Sequence, residues 1–334
     1  MIGSGRVKAK EQYRARPQDQ SIPVSSENPW LLVLLIDGSH SMGADWGSSK
    51  RSMSDTVEQA VNHLLYDMAL NFCVTDSQNE ADGIRDRIHT KIIVYNNEDM
   101  VEDVLPSEES SFSRATGDSG WVKNYADTHS YPGPFGTSME IPRWLTITPG
   151  GTTPMLAAFK AAREAVEEHM DSHPGSAPPV ILNISDGEPT DCGDPVDWCL
   201  LEEEYLGIVS LGVEGACPMV CNVHLASQSD QDPALFPSEQ PSFRGLEAGL
   251  WKISSPVPES IMGMVEDEYN IAPEDGRRFF VFNSDLVHFH RFLHFSTREM
   301  RTVKIVENRS HPTNGVVREA DGAIHVGFQI AEEE

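Results

Sequence analysis

Six consecutive apolar residues, Leu31-Leu32-Val33-Leu34-Leu35-Ile36, stop abruptly at Asp37-Gly38-Ser39-His40-Ser41. A short apolar run without alternation, bounded by turn residues, predicts a strand covered on both faces, as in the centre of a parallel sheet. After a Gly- and Ser-rich turn, Val57, Val61, Leu64, Leu65, Met68 and Phe72 recur at helical spacing, which predicts an amphipathic helix over about Ser52 to Cys73. Ile88 to Tyr95 reads as a second strand and Val101 to Leu105 as a short edge strand. The pattern then breaks. Residues 106–146 are rich in Ser, Gly and Pro, with scattered aromatics (Trp121, Tyr125, Tyr131, Phe135, Trp144), and a stretch of this kind predicts a functional loop or an unstructured insert.

Periodicity resumes at Gly150-Gly151-Thr152-Thr153-Pro154, followed by Ala157, Ala158, Ala161, Ala162 and Val166 on a predicted helix. A hydroxyl to cap the first turn and a Pro lacking the amide hydrogen that would be orphaned there make a good helix start. Pro179 to Ile184 is the next buried strand, ending in Ser185-Asp186-Gly187, and Val220 to Leu225 another. A helix begins over Pro258 to Met264, Phe279 to Phe282 is a last strand, and Ser284 to Phe295 a last helix. Strands alternating with helices predict an α/β, Rossmann-like doubly wound, mostly parallel sheet flanked by helices. The expected organisation is a flexible N-terminal arm (1–28), one domain (29–298) carrying the long insert 106–146, and a C-terminal extension (299–334) with a hairpin around Asp321-Gly322.

Charge narrows the partners. In 334 residues, 52 Asp and Glu stand against 25 Lys and Arg, a formal charge of -27 that repels phosphate backbones and anionic headgroups. Nucleic acid and membrane are therefore excluded as expected partners, and cations held by carboxylates are favoured. Five cysteines, an odd number, are too few for a disulfide scaffold and fit a reducing compartment. With no signal-like apolar region behind the basic N-terminus, the expected location is cytoplasmic.

Three predicted strand ends offer oxygen atoms. Asp37, Ser39 and Ser41 leave the first, a Thr of the Gly-Gly-Thr-Thr loop stands beside the second, and Asp186 leaves the third. In an open parallel sheet the carboxyl ends of strands face one crevice, so distant groups converge there. Two carboxylates and three hydroxyls, without thiol or imidazole, suit Mg²⁺, with Mn²⁺ or Ca²⁺ as alternatives, and leave a coordination position open. Singly, Asp37 and Asp186 could also close Asx turns, but that does not account for their placement at strand ends.

These residues resemble the metal-ion-dependent adhesion site of von Willebrand factor A (VWA) domains, over about residues 30 to 296. Carried over position by position, the resemblance implies that Asp37, Ser39, Ser41, Thr153 and Asp186 hold the metal, with Thr152 as second choice to Thr153. It implies a non-catalytic binding module whose ion is completed by a Glu or Asp of a protein partner. The segments Asn222 to Ser227, Ser254 to Pro258 and Phe282 to Leu286 are similar to bacterial tellurite-resistance-associated VWA proteins. That similarity implies a stress-response or defence system and an associated phosphatase or kinase. A substrate-presenting subunit of an AAA+ ATPase or chelatase is the alternative.

Other readings weigh less. A phosphohydrolase built on Asp37 wants a second carboxylate two residues on, where Ser39 stands, and no Gly-rich phosphate loop of the Gly-x-x-x-x-Gly-Lys-Ser/Thr type is present. The spacing of Cys192, Cys199, Cys217 and Cys221 does not fit a paired zinc ribbon. His288, His290 and His294 read as core or solvated, and Asp191, Asp194 and Asp197 as a solvated acidic loop near the metal rim.

Overall fold

The computed structural model describes residues 24–25, 27–46, 51–68, 87–97, 100–103, 128–132, 138–212, 217–225, 233–240 and 245–296. The strands are β1 (Trp30–Asp37), β2 (Ile88–Asn97), β3 (Met100–Asp103), β4 (Thr128–Pro132), β5 (Ser138–Pro142), β6 (Val180–Ser185), β7 (Met219–Leu225), β8 (Ala234–Leu235) and β9 (Phe280–Ser284). The helices are α1 (Met53–Met68), α2 (Met155–Ser172), α3 (Trp198–Ser210), α4 (Leu246–Lys252), α5 (Glu259–Tyr269) and α6 (Leu286–Ser296), and a short 3-10 turn spans His40–Gly43.

Seven strands form one sheet in the order β3-β2-β1-β6-β7-β9-β8. The inner pairs β2–β1, β1–β6, β6–β7 and β7–β9 are parallel, and the edge strands β3 and β8 run antiparallel. This is the doubly wound, Rossmann-like α/β arrangement, and its winding reverses between β1 and β6.

β1 is buried along its whole length, and its alternation divides two cores. Leu32, Leu34 and Ile36 pack with Val57, Val61, Leu64 and Leu65 of α1, Val265 of α5, and Phe289 and Phe292 of α6. Leu31, Val33 and Leu35 face Phe159, Ala162 and Val166 of α2, Leu201 and Ile208 of α3, and Leu250 of α4. An unalternating apolar strand is required because each face is roofed by helices; each fully buried Leu or Val contributes roughly 1.5–3 kcal/mol.

Two expectations change. The segment 106–146 is partly regular, since β4 and β5 pair antiparallel as a separate hairpin. Ile141, Trp144, Leu145 and Ile147 are buried in the same core as α1 rather than looping free. The register comes from two polar side chains of α1. Asn62 Oδ1 accepts from the amides of Trp144 and Leu145, both at 2.9 Å, while its Nδ2 donates to Leu145 O at 2.9 Å. Glu58 Oε2 accepts from Ile147 N at 3.0 Å, and its other oxygen pairs with Arg143. Second, packing begins before residue 29, because Val24 is buried in that core. The remainder of the expected arm, Phe72 and Cys73 of the first helix, and the C-terminal extension with its hairpin lie outside the described residues. No helix among the described residues is long and apolar enough to cross a membrane.

Helix α3 went unpredicted because its apolar residues do not form one stripe: Leu201, Tyr205 and Ile208 are buried, whereas Leu200 and Leu206 are exposed.

Asn62 satisfies three buried backbone groups that no other described side chain serves. Asn62→Ala is expected to destabilise the fold by about 3 kcal/mol or more, at roughly 1–3 kcal/mol per buried group left unsatisfied. Urea denaturation checks this, and a loss below about 1 kcal/mol would show that the 144–147 segment is not anchored there.

Candidate metal centre

The reversal of winding between β1 and β6 opens a crevice at their carboxyl ends. Asp37 is the last residue of β1, Ser185 the last of β6, and Asp186 follows it. Ser185 Oγ donates to Asp37 Oδ2 at 2.7 Å, joining the two strand ends directly. Asp37 Oδ1 accepts from Ser39 N at 2.8 Å, an Asx-type turn that bends the chain back over the strand end. The Asp-x-Ser-x-Ser spacing then brings Ser39 Oγ to 2.9 Å from Ser41 Oγ, and Ser41 Oγ donates to Asp186 Oδ1 at 2.8 Å. Asp37, Ser39, Ser41 and Asp186 thus form one hydrogen-bonded cluster across 150 positions of sequence (37 to 186). The Asx turn weighed from the sequence exists at Asp37, and it belongs to the cluster rather than replacing it.

The threonine loop arrives through its backbone. Gly150 N donates to Gly38 O at 2.9 Å and Thr152 N to Asn96 O at 2.8 Å, which fastens the loop to the ends of β1 and β2. Gly151 takes φ of +67°, which favours glycine, and Gly38 has no room for a Cβ, which would stand 2.7 Å from Val94 Cγ1. Thr153 is buried, and its Oγ1 faces the turn at Gly187, 3.7 Å from where a Cβ on that residue would lie. Thr152 Oγ1 is buried without a hydrogen-bond partner among the described residues. Both hydroxyls therefore stay in the loop that meets the cluster.

Neither Asp37 nor Asp186 forms an ion pair among the described residues. Burial pushes the Asp37 carboxyl up to about 6, against the lowering effect of its bonds to Ser39 and Ser185, with the nearby Asp186 adding to the rise. Burial likewise raises Asp186. A buried carboxylate, Asp37, and a half-buried one, Asp186, both bonded to hydroxyls, fit a hard divalent cation. Alongside them His224, on β7, is kept neutral by burial, down to about 4, and stacks on Phe282 at 4.3 Å.

Sequence reasoning overlooked Ser185, although it stands inside the Ser-Asp-Gly element that was noticed. Of the neighbouring acidic residues read as a solvated loop, Asp194 and Asp197 are exposed, and Asp191 and Asp197 in addition cap helices. The Asp191 carboxylate caps α2, accepting from Leu156 N at 3.1 Å and Ala157 N at 2.8 Å. No threonine hydroxyl caps that helix, because Thr153 N is engaged with Thr190 Oγ1 and its side chain turns to the crevice. Asp197 caps α3 through Cys199 N. Loops rich in Asp here serve helix termini, where the dipole favours anions.

The remaining candidates separate. Cys192, Cys199, Cys217 and Cys221 are free thiols, and burial lifts Cys192 to about 12. Asp285 Oδ1 contacts His288 Nδ1 at 2.7 Å and caps the first turn of α6 through His288 N. A group not noticed in the sequence is His89, His169 and His173, whose potential ligand atoms lie within 4.8 Å of one another and which can hold a metal ion. The signal available was the i, i+4 pair His169 and His173 at the end of a predicted helix.

No family model matches the chain, and no curated protein matches it. Solved structures do match: one is the pilus adhesin SpaC from Lactobacillus rhamnosus GG, 11% identical over 83% of this chain, with a TM-score of 0.42. The chain spans 31% of that adhesin.

Asp37 sets a pH dependence. Folded, it holds its proton up to about pH 6, whereas its ordinary value is 3.8, so between these the folded state binds more protons and loses stability as pH rises. Above about pH 6 the full cost is in place, roughly 3 kcal/mol at ~1.4 kcal/mol per pH unit. In chelator, Asp37→Asn is expected to exceed the wild type in stability near pH 8 by up to that amount, the difference vanishing below about pH 4. Denaturation of both proteins across this range checks the expectation; equal stability at pH 8 would contradict an uncompensated buried charge.

Proposed function

We propose that this chain is a VWA-type, divalent-metal-dependent protein-binding module that works by coordination rather than turnover. The observation that carries the reading is the cluster at the β1–β6 switch, where Asp37 and Asp186, both pushed up by burial, each accept from a seryl hydroxyl and lack a cationic partner among the described residues. Asp37 and Asp186 supply charge, directly or through water, while Ser39, Ser41 and Thr153 supply neutral oxygens and fix geometry. Hard oxygen donors of this kind suit Mg²⁺, which takes six ligands and is seldom caged by protein alone. Bound there, Mg²⁺ offers an open coordination position to a Glu or Asp carboxylate of a protein partner.

Ser39 supports binding over hydrolysis, since a carboxylate at that position would be needed for acid/base work on a phosphorylated Asp37. The charge of -27 also gives the ion a second effect. An acidic partner is repelled by the bare surface, and a local cation reverses that at one point, so association becomes metal-dependent. The assignment to a bacterial intracellular stress-response or defence system, with a phosphatase or kinase as associate, rests on the sequence resemblance alone.

Calorimetric titration with Mg²⁺ is expected to show one site in the wild type. Asp37→Ala should lose more than the roughly 10–100-fold in affinity that even an outer-shell partner costs, with the fold retained by circular dichroism. Pull-downs from cell extract with and without chelator extend the test. Capture of the same protein by Asp37→Ala in chelator would sink the metal bridge.

A further inference from the structure

The second group of potential ligands lies at the opposite end of the sheet. His89 is the second residue of β2, in register with Leu31 at the start of β1. His169 occupies the last turn of α2 and His173 follows its end. Thr153, beside the carboxylate cluster, stands 16 residues before His169, and that length of helix spans roughly 24 Å at about 1.5 Å per residue. The two groups are therefore separate sites, carried by the two ends of one helix.

The three imidazoles meet edge to face or tilted, with ring centroids 5.4 Å apart for His89 and His169, 5.1 Å for His89 and His173, and 4.8 Å for His169 and His173. Two of them are anchored by backbone carbonyls. His169 Nε2 lies 3.2 Å from Pro29 O, and His173 Nδ1 lies 3.3 Å from His169 O. A carbonyl only accepts, so each of those nitrogens carries the proton, and the lone pairs stand on His169 Nδ1 and His173 Nε2. Donating one ring N–H to a carbonyl, with the other nitrogen's lone pair left for an ion, is the arrangement that orients metal-binding histidines. His169 is buried while His89 and His173 are half-buried, so solvent reaches the group from one side.

We infer that His89, His169 and His173 form a zinc site, with water as fourth ligand, that fastens the start of β2 to the end of α2. Among the described residues the group offers imidazoles without a carboxylate or thiolate, a donor set that suits a borderline-soft ion and not Mg²⁺. Tetrahedral Zn–N bonds of about 2.0–2.1 Å need the ligand nitrogens closer than the 4.8 Å that bounds them here, so zinc draws the three rings inward. The site is independent of the carboxylate cluster and stands whether or not the proposed VWA function does.

The test uses the full chain, stripped with chelator and dialysed, with Zn²⁺ alone titrated in competition with a chromophoric chelator. His173→Gln and His89→Gln are the variants of choice, because both positions are half-buried, and circular dichroism confirms their folding. Asp37→Asn is the control for the other site. One zinc per chain, at least tenfold weaker in each His variant, unchanged in Asp37→Asn, and raising the melting temperature of the wild type and of Asp37→Asn but not of the His variants, is the expected result. Zinc retained by both folded His variants, lost in Asp37→Asn, or absent from the wild type overturns the inference. So does cobalt substitution that gives a thiolate charge-transfer band, since the ion would then sit on cysteine.

Discussion

The candidate site turns on a buried carboxylate held where the sheet changes its winding direction. Asp37 ends β1 with its oxygens tied to Ser39 N and Ser185 Oγ, and the second of these bonds spans the strands on either side of the reversal. A charge in such a place costs the metal-free protein stability, which is why its carboxyl rises to about 6. The surrounding hydroxyls lower that cost without removing it. Under the proposed function, a divalent cation would offset that desolvation cost, and the stabilisation would be gained only in the bound state.

The crevice also needs a stiff floor. Tyr95 on β2 reaches across β1 to Asn183 Oδ1 at 2.9 Å; Asn183 Nδ2 donates to Asn222 Oδ1 at 2.9 Å, and Asn222 Nδ2 to Ser254 Oγ at 2.9 Å. Ser254 Oγ in turn donates to Leu250 O at 2.8 Å. This buried ladder crosses β2, β6 and β7 and ends on α4. Each donor and acceptor in it is satisfied only in one strand register, so the ladder specifies the alignment that apolar packing alone would leave degenerate. Since Asn183 precedes Asp186 by three residues, the same register sets the height at which the second carboxylate emerges.

Helix α2 connects the two ends of the molecule. At its start, Asp191 caps the exposed amides and the Thr153 loop is threaded into the crevice. At its end, His169 and His173 approach β2 and the residues before β1. One rigid element therefore carries hard oxygen donors at one end and imidazoles at the other, and the chemistry of the two ends differs because neighbouring strands bring different residues to each.

Much of this was legible in one dimension. The unbroken run Leu31 to Ile36 could only be a strand roofed on both faces, and Asp37, Ser39, Ser41 and Asp186 were visible because strand ends in a parallel sheet converge by topology. Local pattern could not show how long-range polar contacts are distributed. Asn62 and Glu58 draw residues 144–147 into the core, Asp191 replaces a threonine as the helix cap, and Ser185 bridges two strands. None of these has a periodic signature, because each depends on a partner 34 to 148 positions away. Of the His89, His169 and His173 group only the i, i+4 pair at the end of α2 is legible in sequence; His89, 80 and more positions away, joins it only after the sheet and α2 have packed. Hydrophobic periodicity determined the layers and the crevice, and tertiary packing alone decided which polar groups face one another across them.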